Sequence, residues 1–228
     1  MRNNLVTNEI YHLINRGVED RIIFQNKYDY ERFLLTILEC NSLDPIEKNR
    51  HRRNQNKQNN IQLSKNKKLV EILAFSLMPN HFHFAVKQLI DGGVAKFMQR
   101  LCGSYAKYFN IKKNRKGPLF ISRYKSIHVK SDSQMRHLIT YIHANPLDLI
   151  MPVWRLGKIK DFKKAKGFLE NYQWSSYPLY TINRGLNLIG QIINKETIDL
   201  FYPDKNDHFE AINSWSNRYF ESFDTELE

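Results

Sequence analysis

Hydrophobic and polar positions along the chain change period several times, and each change marks an element. From Asn8 to Val18, β-branched and aromatic residues lead into Arg16-Gly17, the pattern of a strand running into a turn. Arg21 to Phe24 reads as a short strand or bulge. Between Tyr28 and Cys40, the residues Phe33, Leu34, Ile37 and Leu38 fall at helical spacing. Pro45 to Lys68 is polar and aperiodic, which predicts a long loop. Leu69 to Leu77 and His81 to Lys87 are strand-length apolar runs joined through Met78-Pro79-Asn80, so an antiparallel hairpin is expected. Gly92-Gly93 opens a second helix over Val94 to Phe109, with Phe97, Leu101 and Tyr105 on one side. Asn110 to Gly117 reads as a basic turn. Pro118 to Val129 reads as extended, with aromatic residues interleaved among basic ones. Ser131 is a suitable N-cap and Asp132 favours a first helical turn. The helix they open should stop near Asn145, because the residue before Pro146 avoids the α region.

This order of elements predicts an α+β fold, a ferredoxin-like sandwich with an antiparallel sheet and helices packed on it. Residues 1–150 form the main domain, with the polar loop 45–68 inserted. Residues 151–228 form an extension packed on it or following it.

Charge narrows the partners. The chain has 228 residues, 42% of them hydrophobic, enough to bury a core. A net charge of +12 points to a polyanion, either nucleic acid or an anionic membrane. No apolar run reaches the roughly 20 residues of a spanning helix. Met1-Arg2-Asn3-Asn4 does not lead into a signal peptide. A cytoplasmic location without membrane contact is therefore expected, with Cys40 and Cys102 reduced. The charge is uneven: Ile111 to Lys130 carries seven Lys/Arg and no acid, whereas Glu196 to Glu228 carries nine acids against Lys205 and Arg218.

Candidate chemistry centres on Met78-Pro79-Asn80-His81-Phe82-His83-Phe84. Alternation along a strand turns His81 and His83 to one face, and Phe82 and Phe84 to the other. Two neutral imidazoles on one face can share a metal ion. On the later helix, Tyr141 and Asn145 are four residues apart and share a side, with Gln134 and His137 one and two turns earlier. A phenol can act as nucleophile, and an amide carbonyl can ligate a hard divalent cation. By spacing alone, the favoured reading makes Tyr141 a core aromatic and Asn145 a helix cap ahead of Pro146.

Met78-Pro79-Asn80-His81-Phe82-His83 resembles the HUH signature of single-tyrosine transposases. Tyr141-Ile142-His143-Ala144-Asn145-Pro146 is similar to the tyrosine-helix motif of their REP-associated branch, the RAYT proteins. Three further segments resemble that branch: Asn15-Arg16-Gly17, Gly117-Pro118-Leu119-Phe120 through Arg123-Tyr124, and Trp174-Ser175-Ser176-Tyr177. The resemblance runs from about Ile10 to Tyr180. It implies a nuclease and strand transferase for single-stranded DNA or a DNA hairpin, acting as a monomer or homodimer. Tyr141 would attack to give a 5′-phosphotyrosine. His81, His83 and Asn145 would hold one divalent ion. The insertion-sequence branch carries Gln at the position of Asn145.

The residues fit such chemistry independently of the family. A phosphodiester repels an anionic nucleophile, and a cation on its non-bridging oxygens relieves this. An unperturbed phenol ionises near pH 10, so the bound phosphate or a base such as His137 or His143 must assist. Mg²⁺ or Mn²⁺ suits two imidazoles and an amide, since catalytic Zn²⁺ more often brings a third His or an acid. Single strands are held by basic grooves with aromatic platforms. The expected contacts are Arg16, Lys112, Lys113, Arg115, Lys116, Phe120, Arg123, Tyr124 and Lys125, with the six basic residues of Arg155 to Lys166 extending the track. Two rival classes remain at this level: a non-catalytic nucleic-acid binder of the same fold, and a metal-dependent phosphodiesterase using water, which would not need Tyr141.

Overall fold

A computed structural model describes residues 5–47, 68–156, 159, 161–182, 188–193, 196, 199 and 205–214. Most of the polar segment 45–68 and most of the acidic carboxy-terminal stretch lie outside the described residues, and so do the expectations placed on them.

Four strands make one antiparallel sheet: β1 (Ile10–Arg16), β2 (Val70–Met78), β3 (His81–Gln88) and β4 (Lys125–Val129), in the order β2-β3-β1-β4. Helix α1 (Lys27–Cys40) connects β1 to β2, and α2 (Gly93–Lys112) connects β3 to β4. This βαββαβ chain with its sheet order is the ferredoxin-like α+β arrangement expected from the pattern. The β2–β3 hairpin turns on Pro79-Asn80 alone, because β2 runs on through Met78.

Registers divide the side chains between two faces. Leu13 pairs with Phe84, and Phe84 with Phe75. These residues meet α1 and α2 through Phe33, Phe97 and Tyr105, whose rings pack against Phe84 or one another. On the opposite face, Ile14 pairs with His83, Arg16 with His81, and Ser76 with His83. Helix α3 (Asp132–Ala144) packs there against β2 and β3. Both faces are covered, which is why β2 and β3 read as continuous apolar runs.

Local chemistry accounts for the helix ends. Asn26 caps α1 by accepting from the Tyr28 N–H, and Ser131 caps α3 by accepting from the Gln134 N–H. Gly92 precedes α2 at φ 68°, a left-handed conformation that glycine adopts without strain. Three expectations shift. Arg21 to Phe24 forms no strand: it is a loop held by Ile23 and Phe24 N–H groups donating to the Pro79 carbonyl. Helix α2 continues to Lys112, absorbing the start of the expected basic turn. Only Lys125–Val129 of the extended segment is strand.

After α3 come two short 3₁₀ turns, Asn145–Leu149 and Pro152–Leu156, then α4 (Phe162–Asn171), α5 (Tyr177–Thr181), α6 (Ile189–Ile192) and α7 (Lys205–Asn213). Trp174-Ser175-Ser176-Tyr177 runs along the outer edge of β2. There the Leu77 N–H donates to the Trp174 carbonyl and the Ser176 N–H to the Phe75 carbonyl. The edge is thereby covered. Helix α7 packs on α3, and His208 meets His143 with Nε2 and Nδ1 2.7 Å apart.

Candidate active site

His81 and His83 lie on the sheet face that α3 covers, their ring centroids 4.9 Å apart. Each ring is held at Nδ1. His81 donates from Nδ1 to the Asn80 side-chain oxygen at 2.7 Å, which leaves the Nε2 lone pair for a ligand. The Asn80 turn is fixed in its own right: its backbone carbonyl accepts from the Gly17 N–H at 2.8 Å. Gly17 has to be glycine, since a Cβ there would stand 2.2 Å from the Arg21 carbonyl oxygen. Asn15-Arg16-Gly17 thus supports the histidine hairpin from beneath. His83 Nδ1 is 2.9 Å from His12 Nε2 in a buried pair.

These imidazoles are held neutral. Burial pushes His81 down to about 4, with the Arg16 charge adding to the effect and Asn145 and Asp148 opposing it. His83 lies well below its ordinary value, first through burial and then through its neighbours His81 and His12. A neutral ring keeps a lone pair to donate to a metal.

From α3, the Tyr141 ring meets His83 edge-on at 5.4 Å and His12 at 6.0 Å. It is only 3% exposed. Asn145, one turn later, is fully buried. Its amide lies against His81, yet neither Oδ1 nor Nδ2 makes a hydrogen bond of good geometry. A buried amide left poorly paired costs about 1–3 kcal/mol, so an acceptor oxygen beside the His81 imidazole fits a cation ligand. Asn145 is also the C-cap of α3, its N–H donating to the Tyr141 carbonyl. The helix-cap reading of that residue is therefore met by the backbone.

The expected bases lie elsewhere. His143 is fully buried and bridges Ser176 Oγ and His208, each at 2.7 Å, and burial pushes it well below its ordinary value. It belongs to the packing of α7 on α3. His137 lines a small cavity with His12, Gln134 and Ile127.

The expected DNA contacts divide. By register Lys125 shares the His83 face, opposite Ile14. Arg16, Lys113, Lys116, Arg123 and Lys125 are exposed, and Tyr124 is half-buried. Phe120 is 8% exposed and edge-on to Phe82 at 6.0 Å, so it is a core residue with no face to stack a base. Lys112 is ion-paired at 2.6 Å with Asp29, a buried carboxylate that also accepts from Tyr108 and the Gln25 N–H. Arg115 ties its own loop, donating to Asn110 at 2.6 Å and the Pro118 carbonyl at 3.0 Å. Arg155 turns to Tyr141 and Asp148 and extends no track.

Residues 46–145 match the family described as transposase IS200 like. The resemblance read from the motifs is borne out over that stretch. The match spans the histidine hairpin and the whole tyrosine helix. No curated protein matches the chain. Among solved structures, that of a REP-associated tyrosine transposase bound to a REP hairpin is similar at a TM-score of 0.48 and 14% identity, covering 83% of this chain and 88% of that one. No described helix is long and apolar enough to cross a membrane. Cys40 and Cys102 are free thiols.

Sequence reasoning passed over His12, Asp148 and the part that Arg155 plays. For His12 a signal existed: it alternates with Ile14 and Arg16 on β1. Asp148 and Arg155 carried none, since their meeting depends on the path of two 3₁₀ turns.

Proposed function

We propose that the chain is a metal-dependent endonuclease and strand transferase for single-stranded DNA, acting at hairpins, with Tyr141 as nucleophile. The observation that carries this reading is the meeting, over one sheet face, of two imidazoles held at Nδ1, a buried amide beside His81 and a phenol. His81 and His83 through Nε2, and Asn145 through Oδ1, would hold Mg²⁺ or Mn²⁺. When bound, the ion offsets negative charge on the phosphate oxygens.

The Tyr141 oxygen attacks phosphorus, forming the O–P bond as the bond to the 3′ oxygen breaks. The phenol proton ends, in net, on the departing 3′ oxygen. No co-reactant is consumed, and a 3′ hydroxyl can reverse the step. Exposed Arg16, Lys113, Lys116, Arg123 and Lys125 would draw in the phosphate backbone, with Tyr124 beside them as a stacking surface. The reading accommodates a monomer or a homodimer.

The test incubates labelled DNA hairpins with wild type or Tyr141→Phe in Mn²⁺ or Mg²⁺ and runs a denaturing protein gel. A labelled protein band that needs metal and is lost with Tyr141→Phe is expected. Cleavage without such a band would replace a tyrosine nucleophile with water. Binding without cleavage in the presence of metal would make the chain a non-catalytic binder of those hairpins.

A further inference from the structure

The guanidinium of Arg155 is engaged on every edge. Its Nη1 donates to the Tyr141 hydroxyl at 3.2 Å, and its central carbon lies 5.2 Å from that ring's centroid. Nε and Nη2 grip the two oxygens of Asp148 at 3.1 and 2.7 Å. The Trp154 ring flanks the guanidinium at 5.1 Å, while its Nε1 donates to the same Asp148 at 2.6 Å. An arginine kept for the phosphate backbone would leave its fork open to solvent. This one is 22% exposed in its side chain and is anchored by Asp148 and Trp154.

We infer that Arg155 is a catalytic residue, placed to stabilise the Tyr141 oxygen as nucleophile in cleavage and as leaving group in rejoining. This rests on the function proposed above. In a loose transition state the phenol oxygen has given up its proton while little of its O–P bond is made, so it carries negative charge, and it regains that charge as the bond breaks in the reverse step. A guanidinium is always protonated and is already aimed at that oxygen, so no reorganisation is needed when the charge develops. Asp148 fixes the fork as a positioning residue. Its own carboxylate would repel the developing anion if Arg155 were absent, so the arginine both supplies a positive charge and neutralises a negative one. Its charge also reaches His81 and His83, which places it at the border of the ligand pair.

The experiment measures single-turnover adduct formation on a hairpin in Mn²⁺, rejoining from the isolated adduct, and hairpin affinity in a Tyr141→Phe background. Wild type must first form an adduct that Tyr141→Phe abolishes. If it does not, the functional reading fails and takes this inference with it. With that adduct in hand, Arg155→Gln is expected to slow both cleavage and rejoining by about 100-fold, the loss typical of one charge-stabilising donor. Hairpin affinity should stay within about three-fold, which separates the role from phosphate binding. Arg155→Lys, which keeps the charge without the fork, should recover part of both rates. Asp148→Asn, which leaves the guanidinium intact, should cost less than Arg155→Gln and keeps the test open if the latter misfolds. Adduct rates near wild type in Arg155→Gln, or a rate loss matched by an equal loss of affinity, would overturn the assignment.

Discussion

His12 Nε2 and His83 Nδ1 stand 2.9 Å apart, 71 residues apart in sequence, on neighbouring strands. With a lone pair on His83 Nε2, its proton must sit on Nδ1 and be donated to His12. Burial, which pushes His12 down to about 3, keeps that acceptor neutral. His12 therefore selects the tautomer of His83 that can bind a cation. Partners of this kind are worth about 10- to 100-fold in metal affinity. His12→Phe should weaken Mn²⁺ binding by that order in calorimetry without DNA. Unchanged binding would show that the pair is only packing.

Asn145 offers a test in which stability and binding move in opposite directions. Its buried amide has no well-formed hydrogen bond. Asn145→Leu replaces two buried polar groups with methyls on the same branching. The bulkier methyls offset part of the gain, so the metal-free protein should become more stable by about 1 kcal/mol. The same change should weaken Mn²⁺ binding. If stability falls while metal affinity holds, the amide has a structural role alone.

Acid should unfold the metal-free protein early. His12 and His208 are pushed down to about 3, His81 to about 4, and His83 and His143 well below their ordinary value, all chiefly through burial. Unfolded histidines take up protons near pH 6.5. The folded values are the lower ones, so stability is intact above about pH 6.5 and is lost as pH falls towards 4. Each neutral ring costs about 1.4 kcal/mol per pH unit in that window. Urea unfolding between pH 6 and pH 5 should report uptake of about four to five protons. An uptake near one would mean that most of these rings are protonated in the folded state.

The basic segment should split into two classes under mutation. Phe120→Ala removes a core ring and should cost about 3 kcal/mol of stability, and Lys112→Ala should destabilise by leaving buried Asp29 without its cation. Both should leave single-strand affinity almost unchanged at a temperature where the protein is folded. Arg123→Ala with Lys125→Ala should do the reverse, weakening affinity and lowering its salt dependence by between one and two charges. Equal losses of affinity in both classes would contradict the placement of Phe120 and Lys112.

Much of this was legible from the chain because it depends on short-range periodicity. Alternation at His81 and His83, the hairpin at Pro79-Asn80 and the Ser131 cap each need only a few neighbouring residues. The stop expected at Pro146 is softer, since Asn145 keeps α-region angles (φ −48°, ψ −40°) and the chain runs on as a 3₁₀ turn through the proline. What was not legible depends on tertiary encounters. Phe120 and Lys112 look like surface residues in a basic stretch, and only the positions of Phe82 and Asp29 turn them inward. Arg21 to Phe24 has strand-like composition, but its N–H groups are taken by a single carbonyl at Pro79. Arg155 reaches Tyr141 from 14 residues away, through turns that no periodicity announces.

The side chain of Asn41, at the end of α1, donates to the Val70 carbonyl at 2.8 Å and accepts from the N–H groups of Leu69 and Val70. Arg100 adds bonds to the Ser42 and Asp44 carbonyls at 2.6 and 3.1 Å. The chain is thus pinned to the frame on both sides of residues 48–67. Joining two fixed ends through a longer chain costs only about 0.6 kcal/mol per doubling of its length, and here both ends are held by contacts of their own. Evolution, or an engineer, can change the number of residues between these anchors while the ferredoxin-like frame and its histidine hairpin keep their shape.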